Sequence, residues 1–170
     1  MPGRLVLALV AGALALADPA AQAAPTTDEG PPPVIVQRSI RGVQLGMDPA
    51  RVRELLNRAP DSSRTDSHPI VERTKTWTFG ALKVVFDGTK AGARVISVST
   101  TSKVDRTARG VGVGSREMTV RKRVAGVDCR TEYGYRRCSI GKQVAGEPVT
   151  DFSISSKGRV WRIALSRVLD

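Results

Sequence analysis

The sequence predicts an α+β protein built from two tandem copies of one unit. Three observations carry this prediction: a glycine-rich segment that occurs twice, a helical pattern behind each copy, and strand-like runs behind each helix. Residues 42 to 47 read Gly42-Val43-Gln44-Leu45-Gly46-Met47, and residues 110 to 115 read Gly110-Val111-Gly112-Val113-Gly114-Ser115. The segments lie 68 positions apart, and at that offset Val52 and Leu56 fall on Val120 and Val124, and Phe86 on Ile154. Each half closes on a strand-like run, Arg94 to Val98 and Arg159 to Ile163, at an offset of 65, so the first half holds three extra residues in one turn. Self-similarity over both helix and strand patterns marks two copies of one supersecondary unit.

The first segment reads as a signal peptide over residues 1 to 23. Arg4 precedes an apolar run from Leu5 to Ala17, and Ala21-Gln22-Ala23 has the small-residue pattern of a cleavage site. Thirteen apolar residues fall short of the roughly 20 that a membrane-spanning helix needs, and no later run is apolar enough. Residues 24 to 33, Ala-Pro-Thr-Thr-Asp-Glu-Gly-Pro-Pro-Pro, cannot build a core and predict an extended tether. Residues 34 to 103 and 104 to 170 then form the two modules. A unit of that size buries little core alone, so the halves are expected to pack as one body.

In the first module Asp48-Pro49 is a helix start, with Asp as N-cap and Pro at the first helical position. Val52, Leu55, Leu56 and Ala59 recur at spacings of three and four, and Pro60 ends the helix. Asp61 to Ser67 reads as a polar loop, followed by strands over Lys75 to Phe79, Leu82 to Phe86 and Arg94 to Ser99. The second module starts its helix at Ser115 or Arg116, with a thinner stripe of Val120 and Val124, and Gly126 ends it. Strand-like runs follow over Glu132 to Ile140, Val149 to Ile154 and Arg159 to Ser166. Each half is thus a helix or helix pair covering one face of an antiparallel meander, leaving the other face available.

The pattern Gly-Val-x-Leu-Gly-Met-x-Pro-x-x-Val-x-x-Leu-Leu, then a proline and a short meander, resembles the tandem domains of the β-lactamase inhibitory protein family. More distantly, it resembles the small lipoprotein of the outer-membrane β-barrel assembly machinery. The resemblance covers residues 40 to 99 and, more loosely, 107 to 167. It implies two helix-loop-helix plus sheet modules whose combined concave sheet surface grips another protein. In the inhibitor an Asp-Tyr hairpin of the first module enters the enzyme's active site, whereas the corresponding stretch here reads Val71-Glu72-Arg73-Thr74. Only the fold and the binding face therefore carry over.

Net charge is +11 and both modules are basic: residues 34 to 103 hold 12 basic and 6 acidic side chains, residues 104 to 170 hold 14 and 7. Such a surface attracts acidic proteins or polyanions, in a way that weakens with salt. In an exported chain this points to an acidic extracellular or envelope protein, or to anionic wall and membrane polymers, and not to nucleic acid. Cys129 and Cys138, the two cysteines, lie close in sequence and favour a disulfide. With one histidine, the chain has too few ligands for a metal site, and nothing in it calls for a cofactor.

Asp128 to Cys138 is the leading binding segment. A disulfide would preorganise Tyr133, Tyr135, Arg130, Arg136 and Arg137, residue types that dominate interface hot spots. The alternative is a stapled surface loop. Trp77, Phe79 and Trp161 suit either a binding sheet or a core; Trp161 alternates with Ile163 and Leu165 on one face, which favours the core and turns Arg162 toward the open face. Arg121-Lys122-Arg123 reads as a solvated helix face, and His68 before Pro69 as a loop residue without a nucleophile to serve. The glycines at 110, 112 and 114 lack the Gly-Lys-Ser/Thr ending of a phosphate loop. The expected function is a secreted, non-enzymatic protein-binding module, an inhibitor or envelope adaptor; the alternative is a basic adhesin for anionic wall or membrane polymers.

Overall fold

A computed structural model describes residues 33–67, 73–90 and 92–168. The expected signal peptide, the tether as far as residue 32, His68 and the Val71-Glu72 pair lie outside the described residues. Ten strands and two helices follow in order: β1 (Val34–Ile35), β2 (Ser39–Ile40), α1 (Pro49–Leu56), β3 (Ser62–Asp66), β4 (Thr74–Phe79), β5 (Leu82–Phe86), β6 (Val95–Thr100), α2 (Glu117–Arg123), β7 (Asp128–Glu132), β8 (Tyr135–Ile140), β9 (Pro148–Ile154) and β10 (Val160–Arg167).

The expected α+β fold class is corrected by this inventory. The described residues are mostly β, with helices of only eight and seven residues set against an eight-stranded antiparallel sheet in the order β3-β4-β5-β6-β10-β9-β8-β7. Among the described residues neither half contains a helix-loop-helix. In the first half, α1 ends at Asn57 in the left-handed conformation (φ 47°), and the stretch expected to be a loop becomes strand β3. Ser62-Ser63-Arg64-Thr65-Asp66 shows no apolar alternation because it is an edge strand with almost wholly exposed side chains.

Local chemistry sets the helix ends. Asp48 sits in extended geometry before Pro49, and its side chain accepts the Arg51 N–H at 2.9 Å. Helix α2 lacks a side-chain cap at Arg116 but carries Glu117 in its first turn. Val52 and Val120 are fully buried, while Leu55 of the expected α1 stripe remains 38% exposed.

One helix followed by four antiparallel strands occurs twice, and the two meanders join edge to edge through β6 and β10. The same device ties each glycine-rich segment to its last strand: Gly46 N–H donates to Val95 O and Val95 N–H to Met47 O, as Gly114 does to Val160 O and Val160 to Ser115 O. Both last strands also bulge, Ile96 lying between the residues paired with Val85 and Phe86, and Trp161 between those paired with Ser153 and Ile154. A bulge admits one extra residue and resets the in-out alternation beyond it.

Trp77, Phe86, Phe152, Ile163 and Leu165 from both halves share one buried cluster. Trp77 packs edge-on to Phe79 and Phe86, and Arg53 of α1 lies 4.7 Å over its ring. The β1-β2 hairpin opens the first half yet docks on the second, where Gln37 N–H donates to Thr150 Oγ1 at 2.8 Å. Between the halves, buried Asp105 accepts from Arg41 Nε at 2.9 and 3.0 Å and from the Thr100 hydroxyl.

Candidate functional site

The β7-β8 hairpin turns at Tyr133-Gly134, with φ of 50° and 79°. Two left-handed residues match the right-handed twist of a tight hairpin, and Gly134 supplies one of them without steric cost. Three residue pairs behind the turn, Cys129 and Cys138 stand directly opposite one another and are joined in a disulfide. Both are buried. The bridge fixes the two strands that carry the turn, so the tip is presented on a closed frame.

Strand alternation divides the hairpin's side chains. Cys138 and Arg136 face the helices, whereas Tyr135 and Arg137 share the open face with Ser153 of β9 and Arg162 of β10. Register aligns Arg130, Arg137, Ser153 and Arg162 in one row across four strands. Opposed arginines on neighbouring strands repel, and Glu132 relieves this by standing between them. Its Oε1 lies 2.7 Å from Arg130 Nε, and its Oε2 pairs with Arg137. The Arg130 Nε–H is close enough for attraction but is not aimed at that oxygen, and the Arg137 Nε–H is buried without an acceptor.

These residues border a concavity of about 710 Å³ between the hairpin tip, β9 and the start of β10. Tyr133, Tyr135 and Trp161 stand around it with exposures of 98%, 77% and 48%. The Arg162 guanidinium lies 5.1 Å from the Trp161 ring centroid. Asp151 on its floor accepts the Ser139 hydroxyl at 2.5 Å.

Of the expected binding residues, Tyr133, Tyr135, Arg137 and Arg162 meet at this concavity, with Arg130 beside it. Two are placed otherwise. Trp77 is buried at 2% exposure and offers a partner no surface. Arg136 borders the concavity, but its guanidinium turns to the helix side and donates to Glu117, which also accepts from Arg121 Nε at 3.1 Å. The Glu117 carboxyl is held below its ordinary pKa, chiefly by the Arg136 hydrogen bond and then by Arg121, against the opposing effect of burial.

Trp161 also stands elsewhere than its alternation with Ile163 and Leu165 suggested. The bulge removes it from the face of Ile163 and Leu165 and sets it beside Arg162 on the surface. Its equivalence to Ile96 at the 65-residue offset was visible, but no residue type there announces a bulge. Glu132 and Ser153 were also missed, because their roles follow from strand register alone.

Ligand atoms of Glu117, Cys129 and Cys138 lie within 4.8 Å of one another, but the two sulfurs are joined and leave no thiolate for a metal. Among the described residues, no helix is long and apolar enough to cross a membrane. The chain matches no protein-family model, no curated protein and no solved structure.

Proposed function

We propose that the protein is a secreted, non-enzymatic binding module that engages an acidic extracellular or envelope protein through the concavity at the β7-β8 hairpin. The observation that carries this reading is the convergence of three exposed aromatic side chains with Arg137 and Arg162 around one recess. Tyr, Trp and Arg are the residue types that supply most interface energy, and exposed aromatics without a partner mark an interaction surface. The disulfide prepares that surface by removing part of the ordering cost that binding would otherwise incur.

The test is affinity capture from secreted and envelope fractions, followed by titration of the purified captured protein. Loss of at least tenfold in affinity on Tyr133→Ala with Tyr135→Ala, from about 1.4 kcal/mol or more of hot-spot energy, is the expected result. Unchanged affinity would sink the reading. A second reading, a basic adhesin for anionic wall or membrane polymers, is favoured by the net charge of +11. Recovery of polyanions alone, released as salt rises, would select it.

A further inference from the structure

Arg162 carries a charge that the concavity does not balance. Glu132 is shared between Arg130 and Arg137, and Asp151 accepts the Ser139 hydroxyl. Among the described residues no carboxylate lies within ion-pair distance of Arg162; its guanidinium rests instead over the Trp161 ring. That stacking holds a planar donor fork in place before any ligand arrives, so little further ordering is lost on binding.

Arg137 approaches from the other side. In register, Arg137 and Arg162 flank Ser153 on β9. Two strand spacings separate their backbones by about 9.6 Å, and the small serine leaves a gap that two long side chains can close over one anion. The Arg137 side chain is 33% exposed and shares Glu132 with Arg130, so its positive charge is only partly balanced. Asp151 and Glu132 border the gap and limit its appetite for charge, favouring a single carboxylate over a dianion or a polyanion.

We infer that the Arg137-Ser153-Arg162 row is a subsite for one carboxylate side chain, an Asp or Glu on an exposed segment of the partner protein. The inference rests on the protein-binding reading above and adds the partner's chemistry. The carboxylate accepts from the Arg162 fork and from the Ser153 hydroxyl, with the exposed part of the Arg137 guanidinium beside it, while neighbouring partner side chains meet Tyr133, Tyr135 and Trp161.

The experiment is an NMR titration of the ¹⁵N-labelled protein with acetyl-Gly-Glu-Gly-amide, its Gln counterpart and sodium phosphate at matched ionic strength. The Glu peptide is expected to shift the Arg137 and Arg162 Nε–H signals and the Ser153 amide saturably. The Gln peptide should bind about tenfold more weakly, the difference set by charge-assisted hydrogen bonds, and phosphate should also bind more weakly. Arg162→Gln should abolish the response at Arg137 with the rest of the spectrum intact, and Tyr133→Ala with Tyr135→Ala should retain it. Equal response to Glu and Gln peptides, or shifts spread over arginines such as Arg38 and Arg94, would overturn the subsite. A captured protein that needs the tyrosines but ignores Arg162→Gln would overturn the subsite and keep the binding reading. A carboxylate response without any retained protein would do the reverse.

Discussion

Arg136 on β8 and Glu117 in the first turn of α2 join the sheet to the helix that covers it, the guanidinium donating through both Nε and Nη2. Because the Glu117 carboxyl is held below its ordinary pKa of 4.5, the ionised form is favoured by folding. Its contribution is full above the unfolded value and is lost as the pH falls through the folded one. Glu117→Gln should therefore cost about 1 to 2 kcal/mol at neutral pH, and the gap from the parent should narrow at acid pH, below the ordinary carboxylate range. Urea denaturation at neutral and acid pH checks this; a gap independent of pH would assign the effect to packing instead of charge.

Cys129 and Cys138 close a short loop, at a sequence separation of 9. In the chain-entropy model such a loop contributes roughly 2 to 3 kcal/mol, which for a domain of this size lowers Tm by roughly 5 to 10 °C when removed. Cys129→Ala with Cys138→Ala should show that loss in calorimetry together with weaker partner binding, because the Tyr133-Gly134 turn loses its frame. Unchanged affinity in the folded double variant would show that the turn is ordered without the bridge.

Asp105 is 1% exposed and joins elements from both ends of the first half, Arg41 before α1 and Thr100 at the close of β6. Removing Arg41 leaves a buried carboxylate with only a hydroxyl donor, so Arg41→Ala should destabilise by about 1 to 3 kcal/mol, discounted from a fully buried pair because Arg41 is partly exposed. Asp105→Asn should cost a comparable amount. Denaturant midpoints for both variants within about 0.5 kcal/mol of the parent would mean that the contact does not hold the segment between the halves.

How far these features were legible in the sequence depended on whether a side chain's role was local. The Asp48 cap is set by one residue and its near neighbours, and it stands where the sequence placed it. Strands β4, β5 and β9 bury Trp77, Val84 and Phe152, and their apolar residues gave their extents to within a residue. Strand β3 escaped notice because Ser62 to Asp66 lies on an edge and buries nothing that hydropathy could report. The fold class failed for a related reason: a helical pair was expected where one short helix gives way to that polar strand. At the site, Tyr133 and Tyr135 stood out by residue type. The row from Arg130 to Arg162 depends on pairing between strands distant in the chain, and the placement of Trp161 depends on a bulge.

The two tryptophans occupy opposite environments, and this gives the placement of Trp161 a direct test. Trp77 is 2% exposed against Phe79 and Phe86, whereas Trp161 is 48% exposed beside Arg162. In Trp77→Phe protein, the remaining emission should be red-shifted, open to acrylamide and altered by a bound partner. In Trp161→Phe protein it should be blue-shifted, protected and indifferent to the partner. Truncation should separate the same two roles. Trp77→Ala should cost about 3 to 5 kcal/mol of stability through its cavity, while Trp161→Ala should stay within about 0.5 kcal/mol of the parent and weaken binding by roughly 2 kcal/mol, about thirtyfold. A blue-shifted, protected Trp161 would return it to the face of Ile163 and Leu165. The β10 bulge would then be absent, and the concavity would lose both its tryptophan wall and the stack that positions Arg162.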